Sequence, residues 1–131
     1  MRVKAITPWF GGKRTLAPAI VDQLGKHSHY IEPFCGSLAV LMSKPRSQKE
    51  TVGDLHGDLI SLARVLQDRA SAEALYDRLS RTLFAEDLLK KAQEELDELT
   101  ALPDDGVTST MISRAYWYFV ASWMGRNGTA G

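Results

Sequence analysis

The chain has 131 residues, a formal net charge of zero and a single cysteine, Cys35. That length suits one modest hydrophobic core, no apolar run approaches the roughly 20 residues of a membrane-spanning helix, and the N-terminus lacks the apolar centre of a secretory signal. One thiol cannot close an internal disulfide, so a reducing cytoplasm is expected, and neutral charge gives no global argument for a nucleic-acid partner.

The charge is unevenly placed. Residues 1–50 hold eight Lys or Arg (Arg2, Lys4, Lys13, Arg14, Lys26, Lys44, Arg46, Lys49) against three acids (Asp22, Glu32, Glu50). A basic first part suits an anionic partner and equally suits an ordinary solvated surface. Residues 1–14 read as extended and end in Gly11-Gly12-Lys13-Arg14. From Thr15, Leu16, Ile20 and Leu24 recur at helical spacing, with a stop near Gly25. Tyr30 to Phe34 reads as the first strand, residues 37–43 as a short helix ended by Pro45, and Glu50 to Asp54 as a second strand.

Leu55, Leu59, Leu62 and Leu66 then stripe a third helix, with Asp58 near its start. Strand alternating with helix predicts a parallel pair joined by a crossover, the beginning of a doubly wound sheet. Beyond residue 70 the strand signal disappears. Ser71 is placed to cap a helix through about Ser80. Leu88, Ala92, Leu96 and Leu99 line another, flanked by the pairs Glu86–Lys90 and Asp87–Lys91. Pro103-Asp104-Asp105-Gly106 reads as a turn. A last helix from near Ser109 is expected to bury Ile112, Ala115, Phe119, Val120 and Trp123, with a loop from Gly125 to Gly131 after it. The expected class is therefore α/β, an incomplete sheet over residues 1–68 followed by a helical part over 69–131. Two strands cannot form a sheet covered on both faces, and an open strand edge invites self-association.

Three stretches carry the chemistry. Tyr30-Ile31-Glu32-Pro33-Phe34-Cys35-Gly36-Ser37 is a strand running into a tight turn and a helix, a junction that aims backbone N–H groups at a ligand in open α/β sheets. Asp54 closes the second strand eighteen positions after Gly36. In nucleotide-binding units an acid about 20 residues beyond the glycines accepts hydrogen bonds from ribose hydroxyls; Asp54 is equally placed to cap the helix behind it. Lys13 follows two glycines and suits a carboxylate or phosphate, although the phosphate-loop spacing G-x-x-x-x-G-K-[ST] is absent. Trp9 offers a flat face for a ring or an aliphatic chain, or simply packs.

Pro8-Trp9-Phe10-Gly11-Gly12-Lys13, Ile31-Glu32-Pro33-Phe34-Cys35-Gly36-Ser37 and Gly53-Asp54-Leu55-His56-Gly57-Asp58-Leu59-Ile60 together resemble, in order and spacing, the Dam-like DNA adenine N6-methyltransferases. Ser113 through Gly128 looks like the later helix and Asn-Gly loop of that family. The resemblance implies an S-adenosylmethionine site made by Trp9, Lys13, Phe34, Gly36 and Asp54, with Lys13 on the methionine carboxylate and Asp54 on the ribose. It implies a Rossmann-like sheet followed by the start of a target-recognition domain, and double-stranded DNA as partner. Arg126 and Asn127 are the DNA contacts it suggests, turn residues otherwise. Ser37 stands where the family often has Gly or Ala, and Cys35 reads as a small turn residue.

No Pro-Pro occurs among the five prolines, so the Asp-Pro-Pro-Tyr segment that holds the flipped adenine in such enzymes is missing. No catalytic residue is therefore assigned, and no metal site is expected. Two readings follow: an N-terminal part of a methyltransferase that does not catalyse alone, or a stand-alone, non-enzymatic remnant binding cofactor or DNA.

Overall fold

Two short strands, β1 (His29–Glu32) and β2 (Lys49–Val52), run parallel in the computed structural model, with His29 opposite Lys49 and Glu32 opposite Val52. The structure describes residues 3–9, 12–102, 106 and 108–125. Around the strands lie α1 (Ala17–Leu24), α2 (Ala39–Ser43), α3 (Gly57–Gln67), α4 (Arg69–Ser80), α5 (Glu86–Ala101) and α6 (Thr108–Met124). The protein is thus α/β, mostly helical, with a two-stranded parallel sheet among the described residues. None of its helices there is long and apolar enough to cross a membrane. The expected turn at 103–105 lies outside the described residues.

β1 is shorter than its apolar run suggests, because Pro33 cannot donate to a ladder and the chain turns there. Hydrogen bonding still continues past both strands: Gly53 N donates to Glu32 O and Cys35 N to Gly53 O, each at 2.9 Å. These two bonds clamp the strand ends together, and the turn after β1 leans on the end of β2. Alternation along β1 sends Tyr30 and Glu32 inward and His29 and Ile31 outward. Inside, the Tyr30 hydroxyl donates to Glu32 Oε2 at 2.8 Å, and burial followed by this carboxylate pushes the phenol far above its ordinary pKa.

Several expected stripes are rotated. In α1 the helix begins only at Ala17, so Ala17 turns inward with Ile20 and Val21 beside it, while Leu16 and Leu24 are exposed. One residue of offset turns a helical stripe by about 100°. In α3 the buried set is Leu59, Leu62 and Val65; Leu66 faces outward, and Leu55 lies before the helix at 95% exposure. α4 is capped by Asp68, whose Oδ2 accepts from Ser71 N at 2.9 Å, so Ser71 is a first-turn residue and not the cap. The ion pair on α5 joins Lys90 to Glu94 at 4.0 Å, in place of the expected Glu86–Lys90 and Asp87–Lys91.

α6 is buried on more than one face. Ala115, Tyr116, Trp117, Tyr118, Val120, Ala121 and Ser122 are all enclosed, and the helix packs against α3, α4 and α5. Ile112 and Phe119 are half-buried as flanking residues, but Trp123 is exposed and lies against Phe119 at 5.9 Å. Aromatic residues occupy three consecutive buried positions, so no single stripe describes the helix. One continuous core reaches from Ile6, Cys35 and Leu38 through Leu59 and Leu62 to Leu75, Leu96 and Val120.

An ion pair ties β2 to the end of α2. The Lys44 side chain is 1% exposed, and its ammonium donates to Glu50 Oε2 and Pro45 O at 2.8 Å and to Ser47 Oγ at 2.6 Å. The Lys44 hydrogen bond holds the Glu50 carboxyl below its ordinary range, against the opposing effect of burial. A lowered folded pKa contributes stability that is complete above the unfolded value of about 4.3 and is lost as pH falls through the folded one. Glu50→Gln is therefore expected to lower stability by about 1–3 kcal/mol at pH 7. Urea melts should show the gap to wild type shrinking at pH 3.

Candidate functional site

Gly36 and Asp54 meet at the carboxyl ends of the two strands. Gly36 has φ +50°, a conformation that non-glycine residues rarely adopt, and its N–H donates to Asp54 Oδ2 at 3.0 Å. The second oxygen, Oδ1, accepts from His56 N at 3.0 Å. Burial disfavours the charged form of Asp54, but the His56 and Gly36 amides outweigh it and hold the carboxyl below its usual range. Asp54 does not cap α3. That role falls to His56, whose Nδ1 accepts from Leu59 N at 3.3 Å.

Lys13 reaches the same turn from the N-terminal segment. Its ammonium donates to Phe34 O at 2.9 Å and lies 3.5 Å from Glu32 Oε1. Phe34 thus offers its carbonyl to Lys13 while its side chain stays outside, the residue being 69% exposed. Glu32 joins this group through its contact with Lys13, and none of the motifs singled it out. The signal was present, because alternation along β1 sends an acid inward next to Tyr30, and a buried acid needs a partner.

Trp9 completes the group. A Cβ built on Gly36 would stand 3.1 Å from Trp9 Nε1 and 3.2 Å from Cδ1, so the indole rests against the glycine. Just before Lys13, Gly12 N donates to Trp9 O at 3.1 Å, and a Cβ at Gly12 would meet that oxygen at 3.0 Å. Trp9 and His56 meet edge to face at 5.3 Å. The structure therefore brings Trp9, Lys13, Phe34, Gly36 and Asp54 to one place at the strand ends. Phe10 and Gly11 of the same segment, and Arg126 and Asn127, lie outside the described residues.

The model of the D12 class N6 adenine-specific DNA methyltransferases matches residues 9–123. The chain belongs to that family. The matched span contains all five gathered residues, together with Glu32 and His56, and stops before Arg126 and Asn127. No individually curated protein gives a significant match.

Within this member of the D12 class family, two exposed apolar side chains flank the Gly36–Asp54 contact in sequence, Phe34 before it and Leu55 after it. Leu55 was expected in the α3 stripe; it lies beside Asp54 almost fully exposed instead. Leu55 and His56 also line a shallow cavity of about 320 Å³ with Gly57, Asp58, Thr100 and Arg114. A roomier cleft of about 470 Å³ lies elsewhere, between α2, β2 and α3, and contains none of the gathered residues. Among the described residues no group of three or more His, Cys, Asp or Glu is placed to hold a metal. Cys35 is buried, and desolvation followed by the Asp54 and Glu32 charges pushes its thiol pKa up, which disfavours the reactive thiolate.

Proposed function

We propose that this chain binds S-adenosylmethionine at the Gly36–Asp54 junction, as the cofactor-binding part of a site-specific DNA adenine N6-methyltransferase. The observation that carries the reading is the convergence of Lys13, Gly36 and Asp54 from three separate stretches. The residues present suit each part of such a molecule. An amino acid zwitterion needs a cation for its carboxylate and an acceptor for its ammonium; Lys13 and Glu32 stand 3.5 Å apart as that pair. Gly36 lets the Trp9 indole rest directly against the turn, where any side chain would push it away. Each Asp54 oxygen accepts one backbone N–H and retains a further lone pair for a ribose hydroxyl. Exposed Phe34 and Leu55 offer apolar area for a purine ring.

When bound, the sulfonium supplies an electrophilic methyl group. The work of this chain is to bind and orient it, which brings a reacting carbon to a fixed place and keeps water from part of its surface. The short parallel pair is read as part of a larger Rossmann-like sheet. Residues 69–131 are read as the start of a target-recognition domain facing double-stranded DNA, with Arg126 and Asn127 as its candidate contacts. The sequence contains no Asp-Pro-Pro-Tyr segment to hold the adenine amine. This chain by itself is accordingly expected to bind cofactor without transferring methyl groups.

Isothermal calorimetry tests the reading. Wild type should take up S-adenosylmethionine, and Lys13→Ala should weaken binding about tenfold, the loss of one charge-assisted hydrogen bond at a partly exposed position. Equal heats from the two proteins would remove Lys13 from the site. No binding by wild type would favour the remnant reading without a cofactor.

A further inference from the structure

His56 does more than an N-cap requires. Capping needs a short acceptor, and Ser, Asp or Asn supplies one with few atoms. Here an imidazole does it, with Nδ1 accepting from Leu59 N at 3.3 Å. The rest of the ring is engaged on two sides. Trp9 meets it at 5.3 Å with the planes 83° apart, and Tyr118 of α6 meets it at 5.4 Å with the planes 43° apart. Its backbone N–H meanwhile holds Asp54 Oδ1.

These contacts form a chain of support. Tyr118 is 2% exposed and anchored in the core, where burial raises its phenol pKa while the Ser122 and Thr7 hydroxyls work against that shift. His56 stands on Tyr118, the Trp9 indole stands against His56, and Gly36 leaves room for the indole. A tryptophan on the N-terminal segment is thereby held from α6, across the start of α3.

We infer that His56 is a positioning residue for the cofactor site: its ring fixes the Trp9 indole against Gly36, and its amide fixes the Asp54 carboxylate. The inference rests on the cofactor reading above, and the ring and cap roles are separable. His56→Asn keeps a short cap acceptor and the backbone N–H but removes the ring. His56→Phe keeps a ring between Trp9 and Tyr118 but removes the acceptor.

Three readouts on the 131-residue protein decide the matter: thermal unfolding, calorimetric affinity for S-adenosylmethionine, and the Trp9 indole N–H resonance, assigned by its loss in Trp9→Phe. His56→Asn should melt below wild type, having lost both ring contacts, bind about tenfold more weakly and displace the Trp9 resonance. His56→Phe should melt lower yet bind within about twofold of wild type. The inference is overturned if His56→Asn binds like wild type with an unmoved resonance, or if His56→Phe loses as much affinity as His56→Asn. Should wild type bind no S-adenosylmethionine, the cofactor reading fails by itself. The nuclear Overhauser contact from the Trp9 indole N–H to the Gly36 α-protons then decides alone: lost in His56→Asn and kept in His56→Phe it supports the positioning role, and any other pattern overturns it.

Discussion

Gly36→Val is expected to lower stability by about 2–4 kcal/mol and to remove detectable S-adenosylmethionine binding. Two separate effects add at this position. The backbone sits at φ +50°, where a β-branched residue is strained whatever space surrounds it. The new side chain would also start 3.1 Å from Trp9 Nε1 and must displace the indole. Displacing Trp9 disturbs its contact with His56, and any shift of the turn lengthens the bond from Gly36 N to Asp54. Gly36→Ala separates the two effects, since it carries the strain with a smaller intrusion. It should lose less stability in chemical denaturation while still weakening binding. Binding retained in Gly36→Val at a temperature where it is folded would show that no ligand occupies this turn.

The pair of parallel strands and the succession of helices were legible because alternation of apolar runs with Gly and Pro punctuation is a local signal. The phase of each helix was less legible. Leu59 and Leu62 are buried as their spacing predicts, yet the leucines at positions 16, 24, 55 and 66 face outward: Leu16 and Leu55 precede the helices that start at Ala17 and Gly57, and burial falls on Ala17 and Val65 instead. Where a helix begins depends on its cap, and both caps were unrecognised: Leu16 caps without a side-chain bond, and His56 is an unusual N-cap. Trp123 was misplaced for a different reason. α6 is surrounded by three helices, so its buried positions do not repeat with one period, and composition alone does not say which aromatic is left outside.

The gathered residues were legible from three short motifs in order, even though more than thirty positions separate some of them. Their supports were not. Glu32 becomes a partner for Lys13 only once the strand faces are known. His56 becomes a partner for Trp9 only once α6 brings Tyr118 beneath it. A motif records which residues meet a ligand, whereas the groups that hold them in place depend on packing between elements far apart in the chain. Leu55 illustrates the same limit in reverse: apolar spacing assigned it to the core, and the turn at Asp54 put it on the surface.

Asp54→Asn should lower stability by about 1–3 kcal/mol at neutral pH and weaken S-adenosylmethionine binding about tenfold to a hundredfold. The amide keeps one acceptor oxygen, but its nitrogen then faces either the Gly36 or the His56 N–H, donor against donor. The pH dependence follows from the lowered carboxyl pKa. A folded pKa below the unfolded value of about 3.9 means the contribution is complete above that value and lost as pH falls through the folded one. Wild type and Asp54→Asn should therefore converge in stability below about pH 4 and stay apart at pH 7. Convergence shows only that the carboxylate holds the fold together. Direct contact with the ligand is tested by pairing the variant with cofactor analogues that lack one ribose hydroxyl. Wild type should lose affinity for the analogue that removes the Asp54 contact, whereas Asp54→Asn should distinguish it little from the parent compound, since the interaction is already gone. Equal discrimination by both proteins would confine Asp54 to bridging the turn at Gly36 and the start of α3.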